Sequence, residues 1–271
     1  TSVSVGDLFL GAFFPGILLI VSYITYIVIL GIVRPNALPS IPIEERNKII
    51  EVEFLIHLFK ALAPPIFLIF GVLGSILLGI ATPTEAASVG AIGAMALSAI
   101  KKQFSLNILK TVLRKATEIN AMVFTILIGA SFFSLVFRGY GGDETVANYL
   151  ESVTGGVNTS FFIVMLVMFG LGFFLDFFEI IFVVVPIVGP VLLSMGLDPI
   201  WLGVMIALNL QTSFLTPPFG FSLFYLRGVA PTTISTKEIY RGVVPFILIQ
   251  LSVLTLLWLY PEIVTYLPQL M

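Results

Sequence analysis

The sequence predicts an all-α polytopic membrane protein, and three observations lead to this fold class. Hydrophobic residues make up 58% of the chain and charged residues only 10%, against about 25% charged in soluble domains. The mean hydropathy is +1.12. Uncharged stretches such as residues 8–33 exceed the roughly 20 residues that a helix needs to cross a bilayer. The chain is therefore expected to cross the membrane several times.

Composition also argues against several classes of function. The chain has no cysteine, which excludes disulfides and thiolate metal sites. Its single histidine, His57, argues against a multi-histidine metal centre and against a membrane-embedded di-iron enzyme. The net charge is −2 without a basic tract, so no nucleic-acid partner is expected. We predict no enzyme activity and no organic cofactor.

The first part of the chain, residues 1–118, is predicted to hold three spans and two amphipathic helices on the membrane surface. The surface helices alternate charged and apolar residues at helical spacing, which is typical of helices lying in the interface. The predicted spans are 8–33, 61–80 and 85–100, and the predicted surface helices are 43–60 and 101–118. Because the chain starts at Thr1 and its first seven residues lack the basic start of a signal peptide, we interpret it as a fragment without its N-terminal part.

A turn is predicted at Thr82-Pro83-Thr84-Glu85, within an otherwise uncharged region. Pro83 suits the first position of a helix, with Thr82 as its cap and Glu85 in the first turn. The alternative is that Thr84 and Glu85 lie at the edge of a solute pathway. The pattern alone leaves both interpretations open.

The second part, residues 119–241, is predicted to hold the transport-type elements. After a span over 119–137, the arms on either side of Asp176 and Glu179 are each about 16 residues, or about 24 Å of helix, which is short for a span. A re-entrant hairpin over 160–195 with its tip at 175–179 fits this pattern. The elements that follow are a span over 200–226 interrupted at 211–218, and a last span with its tail over 242–271.

The predicted hairpin tip places a carboxylate at membrane depth. Such a group usually faces a protein interior or a water-filled cavity. Asp176 either caps the half-helix that follows it or helps to close the tip over a solute and a cation, and it could do both. Glu179, three residues on, lies near the same face.

The interrupted span contains the densest polar cluster in an apolar stretch. Pro217 and Pro218 lack the N–H that would continue the helix, so carbonyls near 212–215 are expected to lose their helical donors. Oxygen-only ligands suit hard cations such as Na⁺. A simple proline kink is the alternative. The hydroxyl oxygens in this cluster belong to Thr212, Ser213 and Thr216. Gly220 lets the backbone return to a helix. Asn209 and Gln211 could form hydrogen bonds with a solute or with a neighbouring helix.

Three other classes compete with a transporter. A channel would need a continuous polar lining, whereas the polar residues here lie at two interruptions. A membrane-embedded enzyme is disfavoured by the single histidine and the absence of a nucleophile motif. A sodium–carboxylate symporter that works without a binding protein shares the same logic of broken helices.

Three separated segments resemble a known family. They are GIATPTEAASVGA (79–91), GFFLDFFEIIFVVVPIVGPV (172–191) and GLDPIWLGVMIALNLQTSFLTPPFGFSLFYLRGVAP (196–231). They are similar to the large membrane subunit, DctM-like, of tripartite ATP-independent periplasmic (TRAP) transporters. The likeness covers nearly the whole chain and corresponds to the C-terminal half of that subunit.

The resemblance implies an elevator-type secondary transporter of the bacterial inner membrane, with this chain as one inverted repeat of two. The hairpin and the broken span would form one Na⁺ site through backbone carbonyls near Gly172, Asp176, Thr216 and Pro217, with Pro218 beside the solute pathway. The helices 43–60 and 101–118 would be scaffold arms. A periplasmic solute-binding protein would deliver the solute, and a small membrane subunit, DctQ-like, would brace the scaffold.

The resemblance also bears on the solute. DFFEI at the tip and FLTPPFGFSLFYLRGVAP in the broken span resemble the branch of the family linked to α-keto acids, lactate, mannitol or chloroaromatic acids. C4-dicarboxylate members differ at these segments. The expected solute is a small organic acid, imported by symport with Na⁺.

Overall fold

The computed structural model describes residues 3–35, 52–217, 220–231 and 233–270. These residues form α-helices joined by turns, and no β-strand occurs among them. The helices are α1 Val5–Val33, α2 Val52–Leu77, α3 Pro83–Ile100, α4 Leu106–Gly139, α5 Gly142–Ser152, α6 Gly156–Leu171, α7 Phe177–Ser194, α8 Pro199–Ser213, α9 Phe221–Val229, α10 Thr236–Leu259 and α11 Glu262–Gln269.

Within the described ranges, five helices are long and apolar enough to cross a membrane: α1, α2, α4, α7 and α10. Many large apolar side chains on α1 and α2 are exposed, which is the arrangement of a lipid-facing helix surface. These helices confirm the predicted all-α polytopic membrane fold.

The chain divides into two compact units. One unit comprises Ser4–Leu10 and Val21–Lys115, and the other comprises Thr1–Val3, Gly11–Ile20 and Ala116–Met271. The hairpin and the broken span both belong to the second unit.

In the first unit, α2 packs against α3. Gly90 and Gly93 of α3 lie against Val72 and Leu68 of α2, and a Cβ on Gly90 would come 3.2 Å from Val72 Cγ2. Small residues on one face of a helix let helix backbones approach closely in lipid. α3 begins with a capping box between Thr82 and Glu85, as a Thr-Pro-Thr-Glu start predicts.

The structure differs from the prediction in how it divides the early helices. Residues 43–51 of the predicted surface helix lie outside the described residues, and residues 52–60 belong to α2, which continues through Pro64 and Pro65. The predicted surface helix 101–118 and span 119–137 are one helix, α4. Charge changes along it, but it contains no proline and only Gly129 in its interior, so nothing ends the helix where the polarity changes.

Two short helices are additions to the predicted elements. α5 lies between the predicted span 119–137 and the predicted hairpin, and its N-cap Gly141 has a φ of 70°. α11 follows Pro261 in the predicted tail. Both contribute to the second unit, where α5 packs on α6 and α7, and α11 packs on α8 and α10.

The core of the second unit is built around α8, most of whose residues are buried. Asp198 caps α8, because its carboxylate accepts a hydrogen bond from Trp201 N at 2.8 Å. The ring of Trp201 lies against Phe161 of α6, with ring centroids 4.7 Å apart. Its indole N–H donates to the carbonyl oxygen of Leu257 on α10 at 3.0 Å.

The Trp201 bond has a specific backbone cause. The carbonyl of Leu257 would normally accept from the N–H four residues on, but that residue is Pro261, which has no N–H. A buried carbonyl without a donor is costly. The indole N–H of Trp201 supplies the missing donor and joins α8 to α10.

Replacing Trp201 with Phe is therefore expected to lower the free energy of unfolding by about 1–3 kcal/mol, the cost of an unpaired buried carbonyl. Trp258→Phe is the matched control, since Trp258 is the other tryptophan of the chain and is 38% exposed. Circular dichroism during thermal unfolding in detergent measures both. Equal melting temperatures for the two variants would show that the indole hydrogen bond contributes nothing.

Candidate functional site

The hairpin tip is a compact turn over residues 172–176, between α6 and α7. It is closed by backbone hydrogen bonds, among them Gly172 N to Met168 O at 3.0 Å and Leu175 N to Leu171 O at 2.8 Å. The tip starts three residues earlier than predicted, because α6 ends at Leu171 and α7 begins at Phe177. The glycines at 170 and 172, rather than the carboxylates, mark the end of the first arm.

Asp176 is the N-cap of α7. Its side chain accepts a hydrogen bond from Phe177 N at 2.7 Å, so the capping role expected from the sequence is present. Asp176 and Glu179 are both partly exposed. The Asp176 carboxylate lies at the N-terminal end of α7, where the helix dipole is positive.

The second arm contains a local irregularity directly after the tip. Residues Ile180–Val184 form a π-helical turn, and Pro186 and Pro190 follow in the same helix. Each proline removes one helical donor. Turns of the π type inside α-helices are frequent at functional sites.

The hairpin tip contacts the end of α8. A Cβ on Gly172 would lie only 2.6 Å from Ser213 Cβ, so the two backbones approach as closely as glycine allows. The ring of Phe177 lies 5.2 Å from the ring of Phe214. The two interruptions that the sequence singled out therefore meet in one place.

The break between α8 and α9 is held by hydroxyl groups. Thr212 Oγ1 donates to Asn209 O, Ser213 Oγ donates to Leu210 O at 2.5 Å, and Thr216 Oγ1 donates to Thr212 O at 2.7 Å. All three hydroxyl residues are buried. Each hydroxyl uses its hydrogen in these bonds and keeps its oxygen lone pairs as acceptors.

The carbonyls at the break lose their helical donors to proline, as predicted, but they are bonded again by other groups. Ser213 O would pair with residue 217 and accepts instead from Thr216 N at 3.2 Å. Phe214 O would pair with residue 218 and accepts instead from Ser222 N at 3.2 Å. Since a carbonyl oxygen has two lone pairs, each can still face a cation.

Gly220 allows this return of the chain. A Cβ at that position would lie 2.7 Å from Phe214 O and 3.1 Å from Thr216 O. A side chain there would collide with the carbonyl oxygens of the break. Pro217 is partly exposed, and Pro218 lies outside the described residues.

Asn209 lies one turn before the break. It is 3% exposed, and its Nδ2 donates to Met165 O of α6 at 3.0 Å. It also lines a cavity of about 360 Å³ between α6, α8 and α10. The other lining residues are mainly apolar and aromatic: Phe161, Phe162, Met165, Leu166, Phe169, Met205, Leu251, Leu254, Thr255 and Trp258.

The remaining predicted residues are exposed. Gln211 is exposed, unlike its neighbour Thr212, which is fully buried. Thr84 and Glu85 belong to the first unit and are exposed. The Glu85 carboxylate accepts from both the backbone N–H and the hydroxyl of Thr82, each at 2.8 Å, so the capping interpretation describes its contacts.

One buried polar residue of the second unit, Gln250, was missed by sequence reasoning. Gln250 is 2% exposed in the middle of α10. The signal was available, because Gln250 is the one carboxamide in the apolar stretch 242–261. Amide side chains inside membrane helices usually bond to other helices or to function-related groups.

The fold and the site together define an all-α polytopic membrane protein in which a hairpin tip meets a broken helix. The chain belongs to the family described as tripartite ATP-independent periplasmic transporter, DctM component, whose model matches residues 1–263. This confirms the resemblance seen in the three sequence segments. The chain is accordingly a multi-pass protein of the bacterial inner membrane.

Relatives in the family are named for different solutes. The sialic acid TRAP transporter large permease SiaM of Vibrio cholerae is 27% identical over 100% of this chain and 61% of its own length. The C4-dicarboxylate large permease DctM of Rhodobacter capsulatus is 30% identical over 79% of the chain and 48% of its own length. The ectoine/5-hydroxyectoine large permease UehC of Ruegeria pomeroyi is 28% identical over 100% and 61%. The chain thus spans less than two thirds of these relatives.

The close approach of the tip to α8 gives a testable prediction. Gly172→Ala is expected to separate the tip from Ser213 and to reduce transport by the subunit at least tenfold, because misplacing a binding group by about 1 Å can cost about 10²-fold in activity. Gly170→Ala is the matched control, since a Cβ there meets nothing within 4 Å. Solute uptake into proteoliposomes, normalised to inserted protein, compares the two. Similar uptake by both variants would remove the contact from the working site.

Proposed function

We propose that this chain is part of the large permease subunit of a sodium-coupled, binding-protein-dependent TRAP transporter that imports a small organic acid. The observation that carries this proposal is the meeting of the hairpin tip with the helix break, where Gly172 lies against Ser213. Discontinuous helices that meet at membrane depth are the usual way in which secondary transporters build solute and ion sites.

The chemistry at this meeting point supports Na⁺ as the coupling ion. Thr212, Ser213 and Thr216 present oxygen atoms whose hydrogens are already donated to the backbone. Carbonyl oxygens of the tip and the break add further acceptors, around Gly172, Asp176 and Pro217. Oxygen ligands of this kind suit a hard cation such as Na⁺.

Asp176 gives the site its charge, and it serves both expected roles in this proposal. One oxygen holds the first N–H of α7, and the carboxylate balances the charge of the bound cation. Asn209 and the cavity beside it provide amide and aromatic surface for the solute pathway. The solute proposed is an α-keto acid, lactate, mannitol or chloroaromatic type of compound, with a C4-dicarboxylate as the other class.

The mechanism proposed is of the elevator type. The tip and break would travel across the membrane together as part of one moving body. The partners proposed are a periplasmic solute-binding protein, which delivers the solute, and a small membrane subunit, which braces the scaffold. The rest of the large subunit would supply the second, inverted repeat.

Uptake into proteoliposomes tests the function as a whole. The full-length large subunit that contains this chain would be reconstituted with its small partner, and a panel of organic acids would be offered on the cognate binding protein. We expect uptake to require both an inward Na⁺ gradient and the binding protein. Uptake that needs Na⁺ alone would indicate a binding-protein-free symporter, and uptake that needs neither would indicate a channel.

Two substitutions test the site. Asp176→Asn keeps an oxygen for the α7 cap but removes the charge, and Thr216→Ala removes a buried oxygen. Each is expected to reduce Na⁺-driven uptake at least tenfold, which corresponds to about 1.4 kcal/mol of lost interaction, while the subunit still inserts. Thr125→Ala is the control, because the Thr125 hydroxyl is exposed and bonds only within α4. Wild-type uptake in both site variants would exclude these residues from the mechanism.

A further inference from the structure

Gln250 is a buried polar side chain that has no role in the site proposed above. It is 2% exposed. Within residues 3–35, 52–217, 220–231 and 233–270, neither its Oε1 nor its Nε2 has a hydrogen-bond partner. A carboxamide can make up to four hydrogen bonds, and leaving a buried one without partners destabilises a protein. A leucine or methionine would fit the same buried position without that cost.

The helix face on which Gln250 lies shows which helix it packs against. The buried residues of α10 in this region are Gln250, Val253, Leu254 and Leu257, which recur at the spacing of one helix face. On that face the carbonyl of Leu257 accepts the indole N–H of Trp201. The face therefore packs on α8, and Gln250 belongs to it.

The depth of Gln250 follows from the antiparallel course of the two helices. The end of α10 meets the beginning of α8 at Leu257 and Trp201. Seven residues earlier on α10 is Gln250, and Asn209 lies eight residues later on α8. Leu251 and Asn209 line the same cavity, which agrees with this depth. Gln250 is thus level with the last two turns of α8, about 9 Å along the axis from the break at Phe214.

From this placement we propose that Gln250 is a positioning residue for the cation site. Its carboxamide holds the last turn of α8 by hydrogen bonds that form when the site binds Na⁺, and so fixes the oxygens of Thr212, Ser213 and Thr216. The proposal rests on the proposed function, because it names a further determinant of the same site. Gln250 itself does not contact the ion or the solute.

Gln250→Met is the informative variant, since methionine has a similar length and no hydrogen-bonding group of comparable strength. We expect its melting temperature without Na⁺ to equal or exceed that of wild type, because an unpaired buried amide is removed. We expect the Na⁺-dependent rise in melting temperature to be lost. The Na⁺ concentration for half-maximal uptake should rise about fivefold or more, while KM for the solute-loaded binding protein at saturating Na⁺ stays near the wild-type value.

Ser252→Ala is the control, because the Ser252 hydroxyl is exposed and bonds to its own helix at Leu248 O. Gln250→Leu provides a second apolar replacement if the methionine variant does not insert. A wild-type Na⁺ response in an inserted Met or Leu variant would overturn the proposal. Failure of both variants to insert would also overturn it, since the amide would then be required for folding. Absence of any Na⁺ response in wild type would instead refute the sodium-coupled function.

Discussion

The structure of the second unit depends on one constraint: a backbone carbonyl at membrane depth must find a donor inside the protein. Prolines create the need at fixed places. Because Pro261 has no N–H, the carbonyl of Leu257 accepts a hydrogen bond from the indole of Trp201 instead, and this bond joins α8 to α10. Pro217 and Pro218 likewise provide no N–H. The carbonyl of Ser213 therefore accepts from Thr216 N and that of Phe214 from Ser222 N, and these bonds set the path of the break. The same rule that shapes the scaffold therefore also shapes the site.

At the site, two departures from regular helix are combined. At the tip, Gly172 has no side chain and so allows a close approach to α8. At the break, the hydroxyl groups donate their hydrogens to backbone carbonyls. In the proposed cation site the tip would contribute the carboxylate of Asp176, and the break would contribute the buried hydroxyl oxygens. Their contact, with Asp176 beside it, gives neutral oxygens and one carboxylate in the same place. In the proposed function, the membrane environment would strengthen the interactions of such a cluster with a cation, since little water competes for it.

Much of this could be predicted from the sequence. Apolar length predicts the spans, and polar residues in apolar stretches predict the tip and the break, because each is a large local cost. Long-range pairing could not be predicted: nothing local says that Trp201 serves Leu257, or that Gly172 meets Ser213. The sequence predicted two helices, 101–118 and 119–137, where the structure has the single helix α4. The change in polarity along α4 reflects a change in the surroundings of the helix and does not mark its end. Gln250 was passed over because its unpaired state is visible only once its neighbours are in place.

The hydroxyl bonds of the break have a mechanical consequence. The three hydroxyl bonds and the two backbone bonds described for the break lie between Asn209 and Ser222, and each joins residues no more than eight apart. A segment that satisfies its own polar groups can be displaced as a whole without exposing any of them, whereas a segment stitched to a neighbouring helix would have to break those bonds at each step. The non-helical part of α8–α9 therefore keeps these local hydrogen bonds when it is displaced, whereas the bond from Asn209 Nδ2 to Met165 O, one turn before the break, ties α8 to α6.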